Sequence, residues 1–146
     1  MPLINVVVNK EAGLDAKKTL AKAITELFAA ECRVPASHVH VVILDNQFIS
    51  FGADSEKAAA YITVKSSQLQ ILPEARRSLV SEIVPALKAV IPDLDGYRIN
   101  TFFEDLPVEN IAIGPNIATF SKPGGGRGSA GGGGGSIGGA SDVSAH

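Results

Sequence analysis

The second residue of the chain has the least ordinary chemistry. Pro2 follows Met1, and a small second residue usually permits removal of the initiator methionine. The mature chain would then begin with a secondary amine, which is both a nucleophile and a base. A free α-amino group has a pKa of about 7.7–8.0, and burial or a nearby cation lowers that pKa because both disfavour the protonated form. Such a base can take a proton from carbon next to a carbonyl. Alternatively, Pro2 simply opens an edge strand.

Few other residue patterns indicate a reactive site. A single cysteine, Cys32, excludes an internal disulfide, and with three histidines in the chain it leaves too few ligands for a dense metal site. We therefore expect neither a metal nor a cofactor. The Gly126-x-Gly128-x-x-Gly131 spacing falls in a glycine tract with no helix after it, so it does not indicate a dinucleotide site. His40 is predicted to be a packed strand residue and Cys32 an inert thiol at a helix end.

Composition separates a folded part from a tail. Hydrophobic residues make up 45% of the 146-residue chain, but 11 of the 15 glycines follow Phe120. We predict one domain over residues 1–120, and a flexible glycine-rich tail over 121–146, because glycine-rich sequence has few side chains to pack.

Charge and hydropathy exclude two classes of partner. The net charge of -2 argues against nucleic acid, whose binding needs a clustered positive field. No apolar run approaches the roughly 18 residues of a membrane span, so we expect no membrane insertion. The first residues do not resemble a signal peptide. We expect a cytoplasmic protein, secreted only if a route without a signal peptide exports it.

Hydrophobic spacing predicts two strand–helix–strand units. The first helix is predicted to be capped by Asp15 and to end near 32–34, before Pro35; the second begins at Pro73 and ends before Pro92. The four main strands are predicted at Leu3–Asn9, Val39–Leu44, Tyr61–Lys65 and Tyr97–Phe103. Shorter extended segments are predicted at Gln47–Phe51, Ile111–Ile113 and Ala118–Phe120.

These units predict an α/β fold in which two βαβ units form one four-stranded mixed sheet with both helices on one face. The other face would then expose more apolar surface than a soluble monomer usually tolerates. A closed symmetric oligomer that covers this face is the expected solution.

Four segments of the chain resemble the macrophage migration inhibitory factor family of the tautomerase superfamily. That family also begins Met-Pro, has a stretch ending in Phe-Gly followed by a Ser-Glu pair, and carries a late Gly-x-Asn-x-x-Thr-Phe. The segments that carry the resemblance are Met1–Asn9, Val39–Gly52, Ile99–Leu106 and Gly114–Phe120. The resemblance covers residues 2–120 in register.

The resemblance implies a fold and an activity. Three chains would surround an axis, with their sheets forming a central barrel and a pocket between neighbouring subunits. Pro2 would move a proton between carbon and oxygen of a small α-keto acid such as phenylpyruvate, or of a dopachrome-like substrate. Asn100 would reach the pocket from the adjacent chain, Ile113 and Phe120 would form apolar walls, and His38 would lie at the pocket lip.

Several family positions differ here. The family's lysine that grips the substrate carboxylate is replaced by Val34, with Arg33 one position away. The family's Ser-Ile-Gly becomes Ser66-Ser67-Gln68, and Arg98 replaces its tyrosine before the strand-four asparagine. Lys65 and Arg98 are therefore candidate replacements for the missing cation, because a cation near Pro2 would bind a carboxylate and lower the amine's pKa. Both could also be solvated charges at the sheet edge.

The sequence leaves two other functions open. The missing lysine favours a binding protein on the same scaffold: a cytokine-like or regulatory ligand for a cell-surface receptor, with weak or no enzymatic activity. A second alternative is another proline-based reaction, such as decarboxylation or hydration of a small acid.

Overall fold

The computed structural model describes residues 1–117. The predicted strand at Ala118–Phe120 and the predicted tail, residues 121–146, lie outside these described residues. The main strands are β1 (Leu3–Val8), β2 (His40–Leu44), β3 (Ala60–Ser67) and β4 (Ile99–Leu106), and the long helices are α1 (Leu14–Cys32) and α2 (Pro73–Val90).

The four strands form one mixed sheet in the order β2-β1-β3-β4. β1 pairs in parallel with β2, and β3 pairs in parallel with β4, so each helix connects the two strands of a parallel pair. The two βαβ units meet where β1 pairs antiparallel with β3. The predicted α/β class and mixed sheet are confirmed.

The core lies between the sheet and the two helices. Alternate residues of β1 and β3 point toward the helices and are fully buried, as the period-two pattern of a half-buried strand requires. The helices meet them with residues spaced by four, so each apolar stripe packs on the sheet. The buried helix residues are Leu20, Ile24 and Phe28 of α1 and Leu79, Ile83 and Leu87 of α2.

The other face of the sheet carries large apolar side chains with no helix over them. In the single chain the exposed fractions are 41% for Val42, 48% for Leu44, 40% for Tyr61 and 57% for Phe102. We call this surface the uncovered face. It agrees with the sequence argument that a further layer is needed there.

The start of α1 differs from the prediction. Gly13, not Asp15, occupies the N-cap position, and no side chain caps the helix there. Instead, the carboxylate of Asp45, just after β2, accepts a 2.8 Å hydrogen bond from the Ala12 backbone N–H and one of 2.9 Å from Lys17 Nζ. These contacts lower the pKa of Asp45, the Ala12 hydrogen bond most strongly. A residue distant in sequence thus anchors the segment that leads into α1, while no side chain caps the helix itself.

The segment predicted to be extended, Gln47–Phe51, joins no strand of the sheet. Only a single bridge forms, between Phe51 and Asp54, whose backbone groups exchange hydrogen bonds of 3.0 and 3.2 Å. The two residues between them, Gly52 and Ala53, have φ values of 60° and 63°. Two consecutive positive φ angles make this a type I′ turn, which closes on itself and does not extend the sheet.

A small hairpin follows β4. Its strands are β5 (Ala112–Ile113) and β6 (Asn116–Ile117), and Gly114 turns between them with φ 58°. The first of these strands was predicted from the sequence, and the strand predicted at Ala118–Phe120 lies outside the described residues. Neither long helix in the described part of the chain has the length and hydrophobicity needed to cross a bilayer.

We predict that Ala53→Gly stabilises the protein. A residue with a Cβ is destabilised by about 1–2 kcal/mol in the left-handed region, and glycine avoids this penalty. Because glycine loses more conformational entropy on folding, roughly half of the gain is offset. The free energy of unfolding, measured by urea titration, should rise by about 0.5–1 kcal/mol. The matched control is Ala30→Gly in α1, which should lower it by about 1 kcal/mol. Equal losses in both variants would contradict the strain argument.

Candidate active site

Pro2 lies immediately before the central strand. Its side chain is fully buried, and its carbonyl accepts a 3.1 Å hydrogen bond from the backbone N–H of His40. Since β1 is paired on both sides, β2 and β3 fix the position of Pro2 through backbone hydrogen bonds. The nitrogen of this residue is therefore held by rigid elements and not by a loop.

A cavity of about 570 Å³ opens beside Pro2. Its wall includes five of the residues predicted for the site, which come from β1, the β2 entrance, β3 and the closing hairpin. They are Pro2, His38, Lys65, Ser66 and Ile113. Among the residues of 1–117, no group of three or more histidine, cysteine or acidic side chains converges as metal ligands.

A larger cleft, of about 1120 Å³, lies on the other side of Met1. It is formed by the end of α1, the turn between β3 and α2, and the first turns of α2. Arg33, predicted for the site, lines this cleft from the left-handed position that ends α1. Met1, His38 and Ile113 line both spaces, so Met1 stands between the cavity and the cleft.

The amine of Met1 is bound by the side chain of Gln70, a residue that was not predicted for the site. It donates a 3.0 Å hydrogen bond to Gln70 Oε1, which also accepts one of 3.3 Å from Ser67 Oγ. Burial lowers the pKa of this amine below its ordinary value, against a smaller opposing effect of Cys32. No motif marks Gln70, because its role depends on a turn that brings it back over the N-terminus.

A row of side chains crosses the uncovered face next to Pro2. Strand register places His40, Leu3, Lys65 and Glu104 side by side. Lys65 Nζ lies 3.7 Å from a Glu104 carboxylate oxygen, and both side chains are about half exposed. Such a pair contributes little, on the order of 0–1 kcal/mol, so the ammonium group remains free to bind another anion.

His40 differs from its predicted environment. His40 was predicted to be packed, whereas in the single chain it is exposed and lines the smaller cavity. The reason is the strand alternation: Val41 and Ile43 pack on the core, so His40 must point to the uncovered face.

Arg98 has a structural role within its own chain. Its guanidinium donates to the backbone carbonyls of Ala58, Phe51, Asp54 and Lys57 at 2.9–3.3 Å. It also lies 5.0 Å from the centre of the Phe51 ring, a cation–π contact. Arg98 thus ties the type I′ turn to the start of β4, and it does not line the cavity beside Pro2 in the described chain.

Two further predicted residues are not beside Pro2 in this chain. Asn100 is exposed near the start of β4 and pairs with Tyr61, whereas the Pro2 end of β1 lies against Lys65 and Ser66. Five residues of strand, or roughly 17 Å, separate these positions. Phe120 lies outside the described residues. Asn100 can therefore serve a Pro2 site only from another copy of the chain.

Cys32 is half-buried as the last residue of α1. Burial raises the pKa of its thiol to about 11, opposed by the nearby Met1 amine and reinforced by Glu31. A thiol that stays protonated at neutral pH is a poor nucleophile, which agrees with its predicted inertness.

No protein-family model matches the chain, and a search of curated sequences finds no significant relative. Solved structures do match. The chain is 22% identical to Leishmania major MIF2, with 73% of this chain and 89% of that one covered and a TM-score of 0.66. It is 19% identical to macrophage migration inhibitory factor (MIF) from Toxoplasma gondii, with 80% of this chain and 99% of that one covered and a TM-score of 0.72. It is 18% identical to a fused 4-OT described as a symmetric trimer, with 80% of this chain and 94% of that one covered and a TM-score of 0.70.

The chain has the MIF fold. The alignments span nearly the whole of these chains, and the shared fold is the mixed four-stranded sheet with its two βαβ units. The resemblance recognised in the sequence segments is thereby confirmed at the level of the fold. Identities near 20% show the fold and leave the substrate and the roles of individual residues to be argued from the site.

For this MIF-fold chain we predict that Arg98→Met lowers stability. The substitution keeps much of the aliphatic stem but removes the donors to four carbonyls, and a lost hydrogen bond to a charged group costs about 1.5–3 kcal/mol. The free energy of unfolding should fall by about 2–3 kcal/mol. The control, Arg77→Met on the exposed side of α2, should change it by less than about 0.5 kcal/mol. An Arg98→Met protein of unchanged stability that binds keto acids poorly would instead make Arg98 a substrate residue.

Proposed function

We propose that the chain is a ketoenol tautomerase that uses Pro2 as its catalytic base after removal of Met1. The observation that carries this proposal is the position of Pro2, which is fully buried next to the central strand. Pro2 lines a cavity whose wall also contains Lys65, Ser66, His38 and Ile113. The coarser similarity to MIF and tautomerase proteins supports it.

Burial favours the free-base form of a Pro2 amine. The Met1 amine, one residue further out, already has its pKa lowered by desolvation. An amine at Pro2 would be more deeply buried than the Met1 amine, which lowers its pKa. The positive charge of Lys65 at the cavity wall also lowers the pKa of this amine. A base with a pKa near neutral is present in its unprotonated form at the pH where it works.

The reaction is an isomerisation that needs no second reagent. The lone pair of the Pro2 nitrogen takes a proton from the carbon next to the keto group. The electrons of that C–H bond form a C=C bond, and the carbonyl π electrons move to oxygen. The N–H of the protonated proline then returns the proton to the oxygen, giving the enol, and the reverse sequence gives the keto form.

The substrate that fits best is a small α-keto acid with an apolar substituent, such as phenylpyruvate. Lys65 offers a half-exposed cation for its carboxylate, and Ile113 offers an apolar wall. We propose Lys65 and not Arg98 as the replacement for the family's lysine, because the Arg98 guanidinium already donates to the 51–58 segment. His38 and Arg33 stand at the rims, where they would meet the substituent.

The same proposal includes a homotrimer. The uncovered face carries Val42, Leu44, Tyr61 and Phe102, all at least 40% exposed in the single chain, and burial of such side chains is worth about 25 cal/mol per Å². A fused 4-OT with this fold is described as a symmetric trimer. In a trimer, Asn100 of one copy could contact the Pro2 site of a neighbouring copy, although it lies too far from Pro2 of its own chain.

A second candidate is a regulatory binding protein of the MIF type that acts at a cell-surface receptor. It is favoured by Val34, which stands at the family's lysine position and packs against the core, so no cation occupies that place. Binding of a receptor that survives Pro2→Gly would support this alternative.

The proposal predicts that Pro2→Gly lowers kcat/KM for phenylpyruvate tautomerisation by at least about 100-fold, the usual contribution of a general base. Wild-type chains that retain Met1 should be equally inactive, because their Pro2 nitrogen is an amide without a lone pair for proton transfer. Intact mass spectrometry of the same samples identifies the first residue, and sedimentation checks that assembly is unchanged. Full turnover in either form would exclude Pro2 as the base.

Assembly has its own prediction. Phe102→Glu places a charge on the uncovered face and should convert a trimer of 15.1-kDa chains largely to monomer in sedimentation velocity, because a buried unpaired carboxylate is strongly disfavoured. The control is Leu14→Glu, which alters an exposed leucine on the helical side and should leave assembly intact. A wild-type protein that sediments as a monomer would contradict the trimer proposal directly.

A further inference from the structure

The turn between β3 and α2 holds Gln70 in a fixed place near the N-terminus. The Gln68 N–H donates to Leu106 O at 3.0 Å, and the Gln70 N–H donates to Ser67 O at 3.1 Å. Leu69 between them has a φ of 65° and is 74% exposed. A leucine rarely adopts a positive φ, and such strain persists only where surrounding contacts impose the conformation.

The side chain of Gln70 lines the larger cleft and points at the Met1 amine. Its Oε1 lies 3.0 Å from the Met1 amine and 3.3 Å from Ser67 Oγ. Consecutive backbone nitrogens are joined by three bonds, so the Met1 nitrogen lies roughly 3–3.7 Å from the Pro2 nitrogen. A ligand atom at the place of the Met1 amine would thus touch Gln70 and stand within reach of the Pro2 nitrogen.

Removal of Met1 would open this place. Met1 borders both the 570 Å³ cavity and the 1120 Å³ cleft, as do His38, Ile111 and Ile113, so its loss would remove one of the residues that the two spaces share. The position that becomes free is already lined by the Gln70 carboxamide, whose oxygen accepts from the Met1 amine and from the Ser67 hydroxyl.

We propose that Gln70, assisted by Ser67, binds the keto oxygen of the substrate and stabilises the enolate as a catalytic residue. This inference rests on the proposed tautomerase function and names the polar group that the substrate's carbonyl meets. A carboxamide can present either its oxygen or its NH₂ group by rotation. The side chain that accepts from an amine in the Met1 form therefore donates to a carbonyl oxygen in the processed form.

The chemistry requires such a donor. As Pro2 takes the proton from carbon, negative charge develops on the keto oxygen. Hydrogen-bond donors already aimed at that oxygen lower the barrier, and removal of one such donor typically costs about 100- to 1000-fold in kcat. These contacts favour an α-keto acid as substrate, with its carbonyl oxygen bound by Gln70 and its carboxylate near Lys65.

The test uses the Met1-free protein with Gln70→Leu and Gln70→Glu. Both should lower kcat for phenylpyruvate by about 100-fold or more and raise KM by no more than about tenfold, because neither side chain donates to a keto or enolate oxygen at neutral pH. The matched control is Gln68→Leu, two residues away in the same turn, which should keep kcat. Thermal unfolding of each variant checks that the turn still folds.

A binding measurement separates this inference from the proposed function. Benzoylformate is an α-keto acid that cannot enolise, so its affinity, measured by calorimetry, does not depend on turnover. Its Kd should rise about tenfold in Gln70→Leu and stay unchanged in Gln68→Leu, since about 1.4 kcal/mol corresponds to tenfold. Unchanged kcat and Kd in both Gln70 variants would overturn the assignment. If the wild type shows no turnover but binds benzoylformate about ten times more tightly than Gln70→Leu, the tautomerase proposal is wrong and Gln70 is still a carbonyl-binding residue.

Discussion

The pairing of β1 on both of its edges is the constraint on which the candidate site depends. Pro2 precedes a strand that is parallel to β2 and antiparallel to β3, so residues from three strands arrive at its position through backbone register alone. His40 and Lys65 flank Leu3 on one face, and Ser66 lies buried on the other. A one-residue slip of either partner would turn these side chains to the opposite face of the sheet.

Much of this arrangement could be predicted from the sequence, because it follows from periodicity. The stripes at Leu20–Phe28 and Leu79–Leu87 specify two helices that pack on one face, and the apolar strands specify a sheet with a second face left over. The family resemblance predicted a site with Pro2, His38 and Ile113, and the loss of the family's lysine made Lys65 a candidate replacement. These residues line one cavity in the structure.

The parts that could not be predicted are those set by contacts between distant residues. Asp45 holds the start of α1 from across the fold, and a local cap rule cannot anticipate a carboxylate that arrives from another strand. Arg98 was expected to face a ligand but ties down the 51–58 segment, because the type I′ turn brings four carbonyls to it. Gln70 carries no motif, and its position depends on a leucine in a left-handed conformation.

The position of the first two residues has a consequence for N-terminal processing. Pro2 is buried next to the central strand, and the Met1 amine donates a hydrogen bond to Gln70 in the folded chain. These contacts form only after β1 has paired with its neighbours, so a methionine aminopeptidase would meet less resistance on the nascent chain than on the folded protein.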